Sequence, residues 1–149
     1  MKQTFAQAIS STLSEEMRRD DKIIVYGEDV AEMGGIFTAT RGIYEEFGAK
    51  RCISTPIAEG AIVGSAIGAA VTGLRPVVEL MYSDFQLVAF NELFHSLGKW
   101  KFMHGEAYKL PLVVRCAGGY SFGAGPEHSN TFECLFTHAP GLTIITPSN

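Results

Sequence analysis

A chain of 149 residues, 46% apolar and 19% charged, is long enough to bury a core and too apolar to be disordered. Its net charge of −4, with no basic cluster, argues against nucleic acid and anionic membrane as partners. Three widely spaced cysteines, Cys52, Cys116 and Cys134, and an N-terminus without signal or transit character point away from a disulfide framework and towards the cytoplasm.

Thr4 with Gln7 makes a capping-box pair, and Phe5, Ile9, Leu13 and Met17 recur every four residues, which predicts an amphipathic helix closed by residues 18–21. Ile23 to Tyr26 reads as a buried strand ending in Gly27-Glu28-Asp29, and residues 31–37 as a loop around Gly34 and Gly35. A short helix over residues 40–47 is stopped by Gly48, and a second strand covers residues 51–54. Pro56 opens the turn into a glycine-rich helix running to Gly73. The 15 residues from Gly60 to Leu74 carry no charge, fewer than the roughly 20 that span a bilayer. A third strand covers residues 76–82, and one long helix is expected over residues 84–103, bearing Phe85, Val88, Leu93, Leu97 and Trp100. Strands over residues 112–116 and 142–146 follow, separated by a glycine-rich loop at 118–130 and a short helix near residues 132–136.

Strands alternating with helices imply an α/β fold, a parallel sheet covered by helices on both faces. Ligands of such sheets bind at the carboxyl ends of the strands, here residues 27–29, 55–59, 81–85 and 117–130. Glu59 introduces the most apolar helix of the chain. At a helix N-terminus an acid is favoured by the dipole alone, by about 0.3–1 kcal/mol. Flanked by Ile57, Ala58, Ala61 and Ile62, with no cation nearby in sequence, it also suits a carboxyl whose pKa is raised to share a proton near neutrality. His128 lies on the glycine-rich loop as a candidate proton donor or anion contact. Gly119-Tyr120-Ser121-Phe122-Gly123 matches a nucleophile elbow, offering a serine hydrolase with Ser121 as nucleophile and His138 as base. The glycines and Pro126 that follow cannot start the helix that such an elbow requires. Cys134 and His138 lack a second ligand pair, so no metal site is expected, and residues 118–125 lack the nicotinamide fingerprint.

Six motifs carry a family resemblance: Gly27-Glu28-Asp29-Val30, Ser54-Thr55-Pro56-Ile57-Ala58-Glu59, Gly73-Leu74-Arg75-Pro76-Val77-Val78-Glu79, Asp84-Phe85, Glu127-His128-Ser129 and His138-Ala139-Pro140-Gly141. In this order they resemble the pyrimidine-binding domain of the E1 beta subunits of thiamine diphosphate-dependent 2-oxo acid dehydrogenases, of pyruvate, branched-chain or acetoin type. The resemblance covers essentially the whole chain, residues 1–149. It implies that Glu59 bonds N1′ of the cofactor's aminopyrimidine and favours the imino tautomer that takes the C2 proton. It also implies that Phe85 stacks on that ring, Ile57 and Met81 line its pocket, and Glu28 is a polar neighbour. His128 matches a histidine facing substrate and acyl transfer to a lipoyl arm, and its loop is expected to stand apart from the ring-binding residues. Val88 stands where a glutamine is often found. The resemblance further implies an alpha subunit that holds the diphosphate and its magnesium, a second beta subunit in an alpha2-beta2 assembly, and a lipoyl-bearing E2 component. A C-terminal transketolase-like domain, usual in such subunits, is missing from this chain, which reads as a fragment. Alternatives are a transketolase-like or synthase-like thiamine enzyme, and a non-catalytic assembly module of the same fold.

Overall fold

A computed structural model describes residues 2–120 and 123–147, with Glu106 described by its backbone only. The elements in order are α1 (Phe5–Arg19), β1 (Ile23–Glu28), α2 (Ile43–Phe47), β2 (Cys52–Thr55), α3 (Glu59–Val71), β3 (Arg75–Tyr82), α4 (Trp100–His104), β4 (Val113–Ala117) and α5 (Glu133–Phe136). The four strands are parallel in the order β2-β1-β3-β4. The capping box forms as its sequence predicts: the Thr4 hydroxyl accepts from the Gln7 amide and the Gln7 side chain accepts from the Thr4 amide.

Alternation along the strands builds two cores, one on each face of the sheet. Ile23 and Val25 of β1 face Leu13 and Met17 of α1 and Ile43 of α2. Tyr26 of β1 and Val78 and Leu80 of β3 face Ile62, Val63 and Ala66 of α3, together with Leu93 and Phe136. Helices therefore cover both faces. At Gly27 a side chain would run into the Glu79 backbone on β3, so only glycine lets the two strands approach there.

Two expected elements differ. Residues 84–103 do not form one helix but a 3₁₀ turn (Ser83–Leu87), a π-helix (Asn91–Leu97) and α4. The Gly98 amide reaches back five residues to the Leu93 carbonyl, while its own carbonyl accepts from the Gly141 amide at 2.9 Å. A Cβ on Gly98 would lie 2.8 Å from Ala139 Cβ, so the helix is shaped by a contact from forty residues away. The strand expected at residues 142–146 is not formed: the Leu142 amide turns back to the Ala139 carbonyl instead of crossing to β4. Among the described residues no helix is long and apolar enough to cross a membrane.

Candidate functional site

The carboxyl ends of the strands gather most of the chain's unsatisfied polarity. Six buried side-chain oxygen or nitrogen atoms among the described residues lack a hydrogen-bond partner. Five lie along this edge: both carboxylate oxygens of Glu28, the Thr55 hydroxyl, one oxygen of Asp84 and the Ser129 hydroxyl. Buried polar groups are nearly always satisfied, so orphans concentrated on one edge mark a place built to receive a partner.

Glu28 ends β1 directly opposite Thr55, the last residue of β2. The chain then turns through Pro56 and Ile57 into α3, whose first residue is Glu59. Glu59 is buried, as is Glu28. Burial pushes the Glu28 carboxyl up to about 7, and the neighbouring Glu59 charge adds to the rise. The Met81 backbone amide pulls the other way without supplying a well-formed hydrogen bond. The proton-holding character that the sequence suggests for Glu59 thus falls visibly on Glu28. Ile57 is 74% exposed, and Met81, half-buried, is the irregular residue where β3 slips its register against β4. Such bulges re-aim side chains beside functional sites.

Beyond β3 lies an aromatic group. Phe85 meets His128 edge-on, with ring centroids 5.3 Å apart. His128 therefore does not stand apart from the residues assigned to the ring, as the sequence suggests; its loop folds back onto them. The fold-back is held by Asn130, whose side-chain amide donates to the Asp84 carboxylate and to the Pro126 carbonyl. Sequence reading also passes over Tyr82 and Phe37. Tyr82 stacks on His128 at 4.6 Å, and Phe37 meets Tyr82 edge-on at 5.3 Å. The signal available was an aromatic at the last position of a strand, which says nothing of what the 118–130 loop brings against it. Phe37, Tyr82, Ala117, Gly118, Gly119, Ala124 and His128 enclose about 10 Å³, room for roughly one water molecule.

A hidden ion pair supports the edge from below. Glu79 on β3 is registered opposite Arg115 on β4, and the two form a buried salt bridge. Burial raises the Glu79 pKa while the Arg115 charge opposes the rise. The adjoining loop packs on this carboxylate, for a Cβ on Gly35 would come within 2.9 Å of its oxygen.

Ser121 lies outside the described residues, and His138 is exposed near α5. Val88 is 62% exposed, as a residue pointing away from the core would be. Among the described residues no group of three or more His, Cys, Asp or Glu could hold a metal ion.

A parallel sheet wrapped on both faces, with acids and aromatics at its carboxyl ends, defines a ligand-binding α/β domain. The chain belongs to the family described as transketolase, pyrimidine binding domain, whose model matches residues 1–149. It is 43% identical over 146 residues to the pyruvate dehydrogenase E1 component subunit beta of Chaetosphaeridium globosum, covering 96% of this chain and 45% of that protein. It is 40% identical over 145 residues to the 2-oxoisovalerate dehydrogenase subunit beta of Bacillus subtilis (strain 168), covering 97% and 44%. Among solved structures, a split gene transketolase described as an inactive beta4 tetramer matches with a TM-score of 0.56 and 20% identity, over 75% of this chain and 32% of that one. That likeness speaks for the fold. The chain spans just under half the length of the curated relatives it matches.

Proposed function

We propose that this chain forms the pyrimidine-binding half of a thiamine diphosphate site in the E1 beta subunit of a 2-oxo acid dehydrogenase. The observation that carries the reading is the orphaned polarity at the strand ends, with Glu28, Thr55 and Glu59 meeting there. An aminopyrimidine fits this donor set. It offers ring nitrogens and an amino group to buried oxygens that lack partners, and a flat face to an aromatic side chain.

Glu59 would hold a proton towards ring nitrogen N1′, fixed in place as the first residue of α3. Glu28, held largely protonated below about pH 7, would neighbour the same ring without adding a second full negative charge. Phe85 would stack on the ring, with Ile57 and Met81 as apolar flanks. His128 would face the substrate. When bound, the cofactor supplies the electron sink that decarboxylation of a 2-oxo acid requires. The 74% exposure of Ile57 and the narrow 10 Å³ cavity support a site completed from outside this chain. An alpha subunit would bring the diphosphate and magnesium contacts, in an assembly with a second beta subunit and a lipoyl-bearing E2 component.

The test is Glu59→Gln in the reassembled alpha–beta enzyme, read by hydrogen–deuterium exchange at cofactor C2. Exchange should slow by a factor of about 10²–10⁴, the usual worth of a positioned acid–base group. The fold should lose no more than about 1 kcal/mol, the worth of an acid at a helix start. Equal exchange rates at saturating cofactor would return Glu59 to a purely structural role.

A further inference from the structure

His128 Nδ1 lies 2.6 Å from the carbonyl oxygen of Glu127. A carbonyl oxygen only accepts, so this contact requires a proton on Nδ1. The lone pair of the neutral ring is then left on Nε2. The contact joins adjacent residues, and a mobile loop would not hold it. Here it is held from two sides. Tyr82 lies against the imidazole face at 17° to its plane, and Phe85 closes the edge at 74°. The backbone that carries the Glu127 carbonyl is pinned in turn, because the His128 amide closes a turn onto the Gly125 carbonyl. The Asn130 side chain bridges the Pro126 carbonyl and Asp84 across that turn.

We infer that Tyr82 and Asn130 are positioning residues that hold His128 as its Nδ1–H tautomer, so that Nε2 is the nitrogen presented for proton transfer. Tyr82 does so through its ring face, not its hydroxyl. Asn130 does so by fixing the turn that aims the Glu127 carbonyl. The inference builds on the proposed role of His128, and specifies which of its atoms serves that role. Free neutral imidazole prefers its proton on Nε2, so the structure calls for the reverse of the solution preference.

The experiment is long-range proton–nitrogen correlation spectroscopy on this chain labelled at histidine nitrogens. Spectra are recorded on the high-pH plateau of the ring signals, with His128 assigned through the signals lost in His128→Gln. The wild type should show a protonated Nδ1 and an unprotonated Nε2. Tyr82→Phe keeps the ring and should retain that pattern. Tyr82→Leu should shift His128 to the mixed pattern of a free imidazole while the His95 signals stay in place. Asn130→Ala, at an exposed loop position, should cause the same shift should the Leu variant fail to fold. A wild-type ring protonated on Nε2 would overturn the inference, as would a tautomer unmoved by Asn130→Ala or by folded Tyr82→Leu. Turnover of His128→Ala in the reassembled enzyme reports separately on the catalytic reading. That reading could fail with the tautomer intact, and the tautomer could fail with the reading intact.

Discussion

Glu28 and Glu79 sit on adjacent strands, each 3% exposed, and differ in almost everything else. Glu79 has Arg115 opposite it across the β3–β4 ladder, and its charge is answered within the chain. Glu28 has no cation, no hydrogen bond to either oxygen, and a second acid beside it. Burying a carboxyl is costly in both places. At Glu79 the cost is offset by a partner and the result is a braced sheet. At Glu28 it is left standing at the mouth of the strands, where ligands of such sheets bind. The same residue type at the same depth thus separates a structural role from a functional one by whether its partner is inside the chain.

Three measurements would break or sharpen that contrast. Arg115→Ala strands Glu79 without its cation and should cost about 3–5 kcal/mol, read as a drop in the urea midpoint. A loss under about 1 kcal/mol would mean that Glu79 is no better served than Glu28. Next, Glu28→Gln should change the pH dependence of stability. The Glu28 pKa is raised from 4.5 unfolded to about 7 folded, so between those values the folded chain binds more protons than the unfolded one. The wild type should therefore lose stability relative to Glu28→Gln as pH rises through that window, by about 1–3 kcal/mol, with the difference complete above about pH 7. A constant difference across the window would show that Glu28 does not hold its proton. The smallest effect belongs to Ile57→Ala. At 74% exposure its side chain stabilises little within the chain, and the urea midpoint should move by less than about 0.5 kcal/mol. A larger loss would place Ile57 in the fold instead of the binding surface.

Much of this architecture was legible in the sequence where the cause is local. The Thr4–Gln7 box, the period-four apolar face of α1 and the uncharged run of α3 each produced the element they predict. Gly48 and Gly73 end their helices at positive φ, as the absence of a Cβ allows. What failed was set from far along the chain. Residues 84–103 have an apolar pattern suited to one helix, but the Gly98–Gly141 bond bends the segment through a π turn. The strand expected at residues 142–146 has the right composition and makes no ladder with β4. At the candidate site, Glu28 and Glu59 could be picked out because each adjoins a glycine at a strand or helix end. Tyr82 could not, because its significance lies in the ring stacked on it from the 118–130 loop. Glu79 and Arg115 needed the strand register, which 36 intervening residues conceal.

The π-helix over Asn91–Leu97 carries a consequence for how this segment tolerates insertions and deletions. Its wider turn spends one residue more than an α-turn to gain the same end point, as the five-residue span from Gly98 back to Leu93 shows. Removing a single residue within 91–97 would let the segment close as an ordinary α-helix, with its backbone bonds intact. Everything after it would then be rotated by about 100° about the axis. Gly98 would swing off Gly141, and Trp100 and His104 would face a different quarter. A one-residue deletion there would be silent in helix content and disruptive in phase, so the length of this segment is under tighter constraint than the identity of most of its side chains.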